Sequence, residues 1–269
     1  VWALLRSRRG ELWVGTEEGL SRLLPSGRFE SLRTADGLAG DYVVSLFEER
    51  SGALWVGSID GLSRLRFDAT GARSEIRVFT AADGLARQRA YAIAADAAGR
   101  VFVAHGEALS YRDGERFSAV GADSGLDTAS VRSLGLTADG TLWAGGYARL
   151  ARLVSAPGTG PPRFLSYGAE SGLADHLVLT ISDDHHGHLL LGTNRGVIGF
   201  DPKARNGAGA VVARFDRASG AIASEVSHSS AFAKDELGRY WFGFKGGVTV
   251  FPADLGSPRE PAPPPVALE

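Results

Sequence analysis

Residues 49–65, ERSGALWVGSIDGLSRL, predict a β-hairpin. Turn dipeptides at residues 51–52 and 60–61 each precede a run that favours a strand. In the first of these strands Trp55 and Gly57 stand two positions apart, so their side chains share one face of a sheet. Because a single hairpin is barely stable in water, this segment must pack against others of its kind.

The same hairpin recurs five more times along the chain. The copies are GELWVGTEEGLSRL (residues 10–23), GRVFVAHGEALSYR (99–112), GTLWAGGYARLARL (140–153), GHLLLGTNRGVIGF (187–200) and GRYWFGFKGGVTVF (238–251). The aromatic position is filled by Trp13, Trp55, Phe102, Trp143, Leu190 and Trp241, at spacings of 42, 47, 41, 47 and 51 residues. A period in the forties with aromatic and glycine residues at fixed positions is typical of β-propeller blades.

A second motif, Asp-Gly-Leu or Ser-Gly-Leu, alternates with the hairpins. It lies in residues 34–46, 81–93, 122–134 and 169–181, with a degenerate copy at 217–229. Its glycines are Gly37, Gly84, Gly125, Gly172 and Gly220. We expect these glycines to adopt positive φ in sharp loops between blades, and the leucine that follows each one to pack between neighbouring blades.

The two motifs together predict an all-β fold, a β-propeller of four-stranded antiparallel blades. Six blades are visible, at about residues 1–38, 39–85, 86–126, 127–173, 174–220 and 221–255, and a seven-bladed ring cut short fits the same pattern. The absence of methionine predicts an internal fragment of a longer protein.

The C-terminal part of the chain departs from the repeat. The last blade is expected to end at its third strand, residues 247–251, and to take its fourth strand from a segment upstream of residue 1. Residues 256–269 are rich in proline and predict an extended linker to a further domain.

Composition excludes several functional classes. The chain has 269 residues, of which 44% are hydrophobic and 22% charged, as in a soluble globular protein with a large core. A net charge of −2 provides no electrostatic basis for binding nucleic acid. The absence of cysteine excludes disulfides, thiol nucleophiles and zinc–thiolate sites. No phosphate-binding loop, G-x-S-x-G or H-E-x-x-H motif is present, so we predict no catalytic residue and no cofactor.

Candidate ligand-binding residues lie in two kinds of loop. In a propeller, the loops between blades and the turns between second and third strands emerge on one face, around the channel mouth. The candidates on this face are Asp41, Tyr42, Arg87, Gln88, Arg89, His105, Tyr147, Arg149, His176, Asn194, Arg195, His228 and Lys245; Glu17, Glu18, Asp60, Tyr91, Asp127, Asp175 and Glu225 share it. Such a mixture can stack on and hydrogen-bond a polar ligand, although polar side chains are ordinary on any loop face.

Residues 183–188, DDHHGH, form the most conspicuous group of metal-ligating residue types. They occupy the turn between the first and second strands of a blade, where neighbouring side chains point apart. We therefore predict a solvated turn at His185, His186 and His188 and no metal site.

The paired motifs resemble a known family. D-G-L loops combined with D-x-x-G-x-L-W-V-G-T-x-x-G-L-x-R-L hairpins are similar to the two-component regulator propeller repeats of bacterial signalling receptors, best at residues 34–65 and 10–23. Residues 225–255 resemble the closing blade of that family. The sequence departs from it four positions after the loop glycine, where the usual Asn is replaced by Asp41, Gln88, Ala129, His176 and Ser224.

The resemblance implies a ligand-sensing propeller in the periplasmic part of an inner-membrane receptor, with a histidine kinase, often a hybrid one, or a diguanylate cyclase as cytoplasmic output. It implies a small-molecule or oligosaccharide signal, a dimer in the full receptor, and membrane contact only through segments outside this sequence. Two alternatives remain. One is a propeller enzyme of the carbohydrate-active or antibiotic-inactivating lyase type, with His105, His176 and His228 as candidates; the other is a protein-interaction scaffold.

Overall fold

The computed structural model describes residues 1–126, 130–156, 159–184, 186–219, 221–223, 225–227, 231–252 and 267–268. They form six four-stranded antiparallel sheets, and within each sheet the strands follow chain order. The fold is the predicted one, an all-β propeller with six four-stranded blades. The chain divides into two compact units, Val1–Ala122 with Pro157–Thr159, and Asp123–Ala156 with Gly160–Glu269.

The first unit contains blades 1 to 3. Their strands are β1 (Ala3–Arg6), β2 (Leu12–Thr16), β3 (Gly19–Leu23) and β4 (Phe29–Leu32); β5 (Val43–Glu48), β6 (Leu54–Ser58), β7 (Leu62–Phe67) and β8 (Arg73–Phe79); β9 (Ala92–Ala95), β10 (Val101–Ala104), β11 (Leu109–Asp113) and β12 (Arg116–Ala119).

The second unit contains blades 4 to 6. Their strands are β13 (Ser133–Leu136), β14 (Leu142–Gly146), β15 (Arg149–Leu153) and β16 (Phe164–Tyr167); β17 (Val178–Asp183), β18 (Leu189–Thr193), β19 (Gly196–Asp201) and β20 (Ala210–Phe215); β21 (Phe232–Lys234), β22 (Tyr240–Phe244), β23 (Gly247–Phe251) and β24 (Ala267–Leu268).

The Trp-x-Gly pattern of the second strand is explained by the packing of one blade on the next. Trp55 is fully buried in the cluster between blades 2 and 3. A Cβ at Gly57 would lie 2.6 Å from the carbonyl oxygen of Ala90, at the start of blade 3. That carbonyl also accepts a 2.8 Å hydrogen bond from Ser45 Oγ. Glycine therefore lets the first strand of one blade approach the second strand of its neighbour.

The loops between blades have the predicted geometry. Their glycines adopt positive φ: +103° at Gly37, +90° at Gly84, +81° at Gly125 and +86° at Gly172, while Gly220 lies outside the described residues. Each of these glycines follows a single 3-10 turn, such as Ala81–Asp83. Asp83 holds that turn by accepting a 3.0 Å hydrogen bond from the Thr80 amide.

The leucine after the loop glycine packs between blades, as predicted. Leu38 joins the cluster shared by blades 1 and 2, Leu85 that of blades 2 and 3, and Leu173 that of blades 4 and 5. All three are buried. The repeated loop thus carries an apolar anchor for the next blade.

The expectation that blade 6 ends at its third strand is wrong. Residues Ala267 and Leu268 form β24 and pair with β23, with Leu268 opposite Val248 and Ala267 opposite Thr249. An unpaired strand edge accepts any extended segment that has amide hydrogens to donate. No proline follows Pro265, so residues 267–268 keep the amide hydrogens that strand pairing needs. The proposed linker lies mostly outside the described residues.

Candidate functional site

Two kinds of loop meet on one side of the blades in each unit. In the first unit the Ile59 amide, in the β6–β7 turn, donates a 3.2 Å hydrogen bond to the Tyr42 carbonyl, which precedes β5. In the second unit the Ala148 amide, between β14 and β15, donates a 2.7 Å hydrogen bond to the His176 carbonyl, which precedes β17. We call these two sets the mouth loops.

One aromatic cluster lies on the mouth loops of blades 1 and 2. The rings of Trp2 and Tyr42 are 5.3 Å apart and nearly perpendicular. Trp2 Nε1 donates a 3.2 Å hydrogen bond to Glu17. Partial burial, together with the charge and hydrogen bond of the Glu17 carboxylate, raises the pKa of the Tyr42 phenol. Trp2 is absent from the sequence-based candidates because it precedes the first hairpin and belongs to no repeated motif.

A second cluster lies on the mouth loops of blades 2 and 3. Arg89 Nη1 donates a 2.7 Å hydrogen bond to Tyr91 Oη, and its guanidinium lies 5.5 Å from the ring centroid of Tyr91. This hydrogen bond, with the charges of Tyr91 and Asp60, holds the pKa of Arg89 above its usual value. The neighbouring Arg87 and Gln88 are exposed on the same loop. Arg87, Gln88 and Arg89 thus all lie exposed on this loop.

His105 lies beneath this cluster rather than on it. It is buried, and its Nδ1 donates a 2.6 Å hydrogen bond to the Arg89 carbonyl, while its Nε2 is 2.9 Å from Ser110 Oγ. The Ser110 hydroxyl in turn accepts from the Ala86 amide, at 3.0 Å. Burial lowers the pKa of His105 despite the hydrogen bond to Arg89, and the charge of Arg87 acts in the same direction. His105 thus supports the loop that presents Arg89.

His176 has a similar supporting position in the second unit. It is buried, its Nε2 accepts a 2.7 Å hydrogen bond from Arg214, and its Nδ1 is 3.2 Å from Thr193 Oγ1. Burial lowers the pKa of His176, and the charges of Arg214 and Arg195 lower it further against the opposing effect of Asp175. Both ring nitrogens are engaged by protein groups.

We expect these two histidines to make the protein less stable in mild acid. The pKa of each histidine is lower in the folded state than in the unfolded state, so folding favours the neutral imidazole. The resulting contribution to the free energy of unfolding is fully present above the unfolded-state pKa of about 6.5. The contribution is lost as pH falls from there through the folded pKa. The free energy of unfolding, measured with urea between pH 7.5 and 5, should fall less steeply in His105→Gln and His176→Gln than in the unmodified chain. His186→Gln is the control, because His186 is exposed; parallel curves for all four proteins would contradict the prediction.

Two other candidates accept hydrogen bonds from the backbone of the mouth loops, Asp41 within its own loop and Asn194 from the loop before β17. Asp41 accepts hydrogen bonds from the amide and hydroxyl of Thr34, at 2.7 and 3.3 Å. The Asn194 side-chain oxygen accepts a 2.7 Å hydrogen bond from the Leu177 amide. The structure therefore gives both side chains a role in shaping the mouth loops.

The remaining candidates of the second unit are spread along its mouth loops. Tyr147 is 54% exposed, and Arg195 lies 3.9 Å from the Asp175 carboxylate. Lys245 forms a 2.8 Å ion pair with Glu225. Arg149 extends towards the loop that follows β16. The pKa of Glu170 in that loop is lowered mainly by hydrogen bonds from the loop backbone and, to a smaller extent, by the charge of Arg149. His228 and Asp127 lie outside the described residues.

Asp184 accepts the hydrogen bonds that fix the connection between β17 and β18. Asp184 is buried and accepts hydrogen bonds from the amides of His186 and His188, at 2.7 and 3.0 Å, and from His188 Nδ1, at 2.8 Å. Asp235 in blade 6 makes the equivalent bonds to the amides of Leu237 and Arg239. His185 lies outside the described residues. In the part of the chain that the structure describes, no three or more His, Asp or Glu side chains are grouped so as to hold a metal ion.

The fold is a β-propeller, and in each unit the mouth loops carry polar and aromatic side chains. Among solved structures, the extracellular domain assigned to a one-component system of B. thetaiotaomicron is similar, with a TM-score of 0.71 and 15% identity over 96% of this chain and 34% of that one. The extracellular domain assigned to a hybrid two-component system of the same organism has a TM-score of 0.62 and 17% identity over 94% and 35%. A catalytically inactive variant of virginiamycin B lyase from Staphylococcus aureus, with quinupristin, has a TM-score of 0.65 and 12% identity over 95% and 85%.

These similarities establish the fold. The chain spans about a third of the length of the two receptor domains. No protein-family model matches the sequence, and no curated protein matches it. Among the described residues there is no helix with the length and apolar character needed to span a membrane.

Proposed function

We propose that this chain is a ligand-sensing propeller of a bacterial membrane receptor, periplasmic in location, that relays ligand binding to a cytoplasmic histidine kinase or diguanylate cyclase. The observation that carries the proposal is the cluster of Asp60, Arg89 and Tyr91, in which Asp60 and Arg89 are exposed, Tyr91 is partly buried, and the loop that carries Arg89 is fixed from below. Two hydrogen bonds hold this loop in place. His105 Nδ1 donates to the Arg89 carbonyl, and the Ala90 amide donates to the Ser58 carbonyl at 3.0 Å. A preorganised polar surface of this kind loses little conformational entropy on binding.

The chemistry of the two clusters in the first unit suits a hydroxylated ring compound such as an oligosaccharide. Tyr42 and Tyr91 offer aromatic faces, Arg89 donates hydrogen bonds, and the carboxylates of Glu17 and Asp60 accept them. The similar extracellular domains of bacterial receptors support a sensing role. Because packed blades resist internal rearrangement, the signal is passed as a rigid-body movement against a following domain or a second receptor copy.

The alternative of a propeller enzyme has weaker support. His105 and His176 are buried with both ring nitrogens bound to protein groups, so neither is placed to exchange a proton with a substrate. The lyase shares the fold with this chain, at 12% identity. The interaction-scaffold alternative has no specific surface in its favour among the described residues.

Calorimetry tests the proposal by measuring how a panel of bacterial and plant glycans binds to the unmodified chain and to Arg89→Ala. We expect one glycan to bind, and Arg89→Ala to weaken binding at least tenfold, about 1.4 kcal/mol. Arg66→Ala is the control, because Arg66 is exposed on β7, away from the mouth loops, and pairs with Glu75; it should stay within twofold. The reading frame beyond both ends of this sequence is the second test: a frame without a membrane span and a signalling domain contradicts the receptor role.

A further inference from the structure

The loop that presents Arg89 is held at two points by side chains of blade 3. We call residues 86–91 the ligand loop. At its start, the Ala86 amide donates a 3.0 Å hydrogen bond to Ser110 Oγ. Further along, the Arg89 carbonyl accepts a 2.6 Å hydrogen bond from His105 Nδ1. Because His105 Nε2 lies 2.9 Å from Ser110 Oγ, the two contacts are joined in one chain of hydrogen bonds.

Each hydrogen bond in this chain has a fixed direction. Since Nδ1 of His105 donates to the loop, Nε2 of the neutral ring is an acceptor. The Ser110 hydroxyl therefore donates to Nε2 and accepts from the Ala86 amide. Both His105 and Ser110 are buried, and within the part of the chain that the structure describes the Ser110 hydroxyl has no third partner.

A second proton on His105 conflicts with this arrangement. Protonated Nε2 becomes a donor that points at a hydroxyl already donating to it. The hydroxyl can rotate to accept from both the imidazolium and the Ala86 amide, but its own proton then lacks an acceptor inside the protein. A buried donor without an acceptor is costly, so protonation weakens the hold on the ligand loop.

The histidine is a departure from the repeat. Blade 3 alone has a titratable residue at this position, which holds Thr16, Ser58, Gly146, Thr193 and Phe244 in the other blades. The hydroxyls of Thr16, Ser58 and Thr193 donate to carbonyls of their own turns, at 3.1, 3.0 and 2.9 Å. In blade 3 the His105 amide donates a 2.9 Å hydrogen bond to the Ala108 carbonyl, so the turn closes without the imidazole.

The equivalent loop before blade 2 is held without a histidine. Its Ala39 amide donates a 2.9 Å hydrogen bond to Ser63 Oγ, just as the Ala86 amide does to Ser110. Ser58 stands where blade 3 has His105. The chain therefore contains a matched loop in which the same serine contact is not linked to an imidazole.

The charged and titratable groups on the elements around His105 in the first unit have different effects. They are Arg87, Arg89 and Tyr91 on the ligand loop, Asp60 on the β6–β7 turn and Glu107 in the turn of His105 itself. Burial is the largest influence and lowers the pKa of His105; the hydrogen bond to the Arg89 carbonyl raises it, and the charge of Arg87 lowers it. Histidine is the side chain whose ordinary pKa lies between pH 5 and 8.

We propose that His105 and Ser110 form a pH-sensitive clamp on the ligand loop, which holds the loop at neutral pH and releases it when His105 is protonated in mild acid. This inference rests on the proposed function and adds that ligand affinity at Arg89 falls with pH, because a released loop must be ordered again on binding. The clamped form binds fewer protons than the released form. The clamp is therefore complete above the ordinary histidine pKa of about 6.5 and weakens as pH falls below it.

Hydrogen–deuterium exchange of the unmodified chain without any ligand tests the clamp. After correction for the intrinsic exchange rate, we expect protection of the Ala86 amide to fall about three- to tenfold from pH 7.5 to 5.5. The Ala39 amide is the internal control and should change less than twofold. Amides of β10 should stay protected, which distinguishes release of the loop from unfolding of the blade.

Two variants separate the proton from the contact. His105→Gln retains a donor for the Arg89 carbonyl and an acceptor for Ser110, so the Ala86 amide should be protected equally at both pH values. His105→Thr, with the residue of blades 1 and 5, loses the bond to Arg89 and should show lower protection at both. Constant protection in the unmodified chain, or the same fall in His105→Gln, would overturn the proposal. Exchange is measured without a glycan, so a failed glycan panel and a failed clamp are told apart.

Discussion

Gly84→Ala is expected to lower the free energy of unfolding by about 2–5 kcal/mol. The residue has φ +90°, a conformation that costs an L-residue about 1–2 kcal/mol. In addition, an alanine Cβ would lie 2.0 Å from the carbonyl oxygen of Phe117, and backbone atoms must move to admit it, at a further cost of about 1–3 kcal/mol. Phe117 is buried against Trp55 and Phe79, so that movement disturbs the core between blades 2 and 3.

Gly99→Ala separates the two contributions. Gly99 has φ +85°, almost the same value, but a Cβ there would meet no atom within 4 Å. It should therefore cost only the conformational part, about 1–2 kcal/mol. Urea denaturation of both variants, followed by far-ultraviolet circular dichroism, measures the difference. Equal losses would show that close approach of the loop to blade 3 is unimportant.

The architecture could be predicted from the sequence because two independent periodic signals agree. The Trp-x-Gly hairpins fix the second and third strands, and the loop glycines fix where each blade ends. The strand β24 could not be predicted in this way. It contains only Ala267 and Leu268, too few residues to show alternation, and its pairing depends on an edge of β23 that is distant in sequence.

The sequence indicated the loops on which the candidate residues lie but not the direction of each side chain. Asp41 and Tyr42 are adjacent, yet Asp41 hydrogen-bonds Thr34 in its own loop while Tyr42 contacts Trp2 and Glu17. Likewise, Arg89 is exposed whereas His105, from the facing turn, is buried beneath it. These differences depend on the particular contacts that each side chain makes in the folded chain, and the pattern of polar residues carries no information on them.

Trp55→Ala is expected to destabilise the protein by about 3–5 kcal/mol, the usual range for removing a buried aromatic side chain. Trp55 is fully buried, with Phe79 and Phe117 at centroid distances of 5.1 and 6.0 Å, and the guanidiniums of Arg64 and Arg112 each lie 5.7 Å from its ring. Its loss leaves a cavity between two blades and removes the aromatic surface on which both arginines lie. Chemical denaturation should be followed by circular dichroism, because the substitution also changes fluorescence.

Trp241→Ala is the matched control for this variant. Both indoles donate Nε1–H to a carboxylate in the turn before their strand, Trp55 to Glu49 at 2.6 Å and Trp241 to Asp235 at 2.9 Å. Trp241 is only partly buried, so its removal should cost less, about 1–2 kcal/mol. A clear excess for Trp55→Ala would show that the aromatic position of the repeat stabilises the fold by filling the space between blades. Equal losses would instead assign its contribution to the hydrogen bond that ties each hairpin to its own turn.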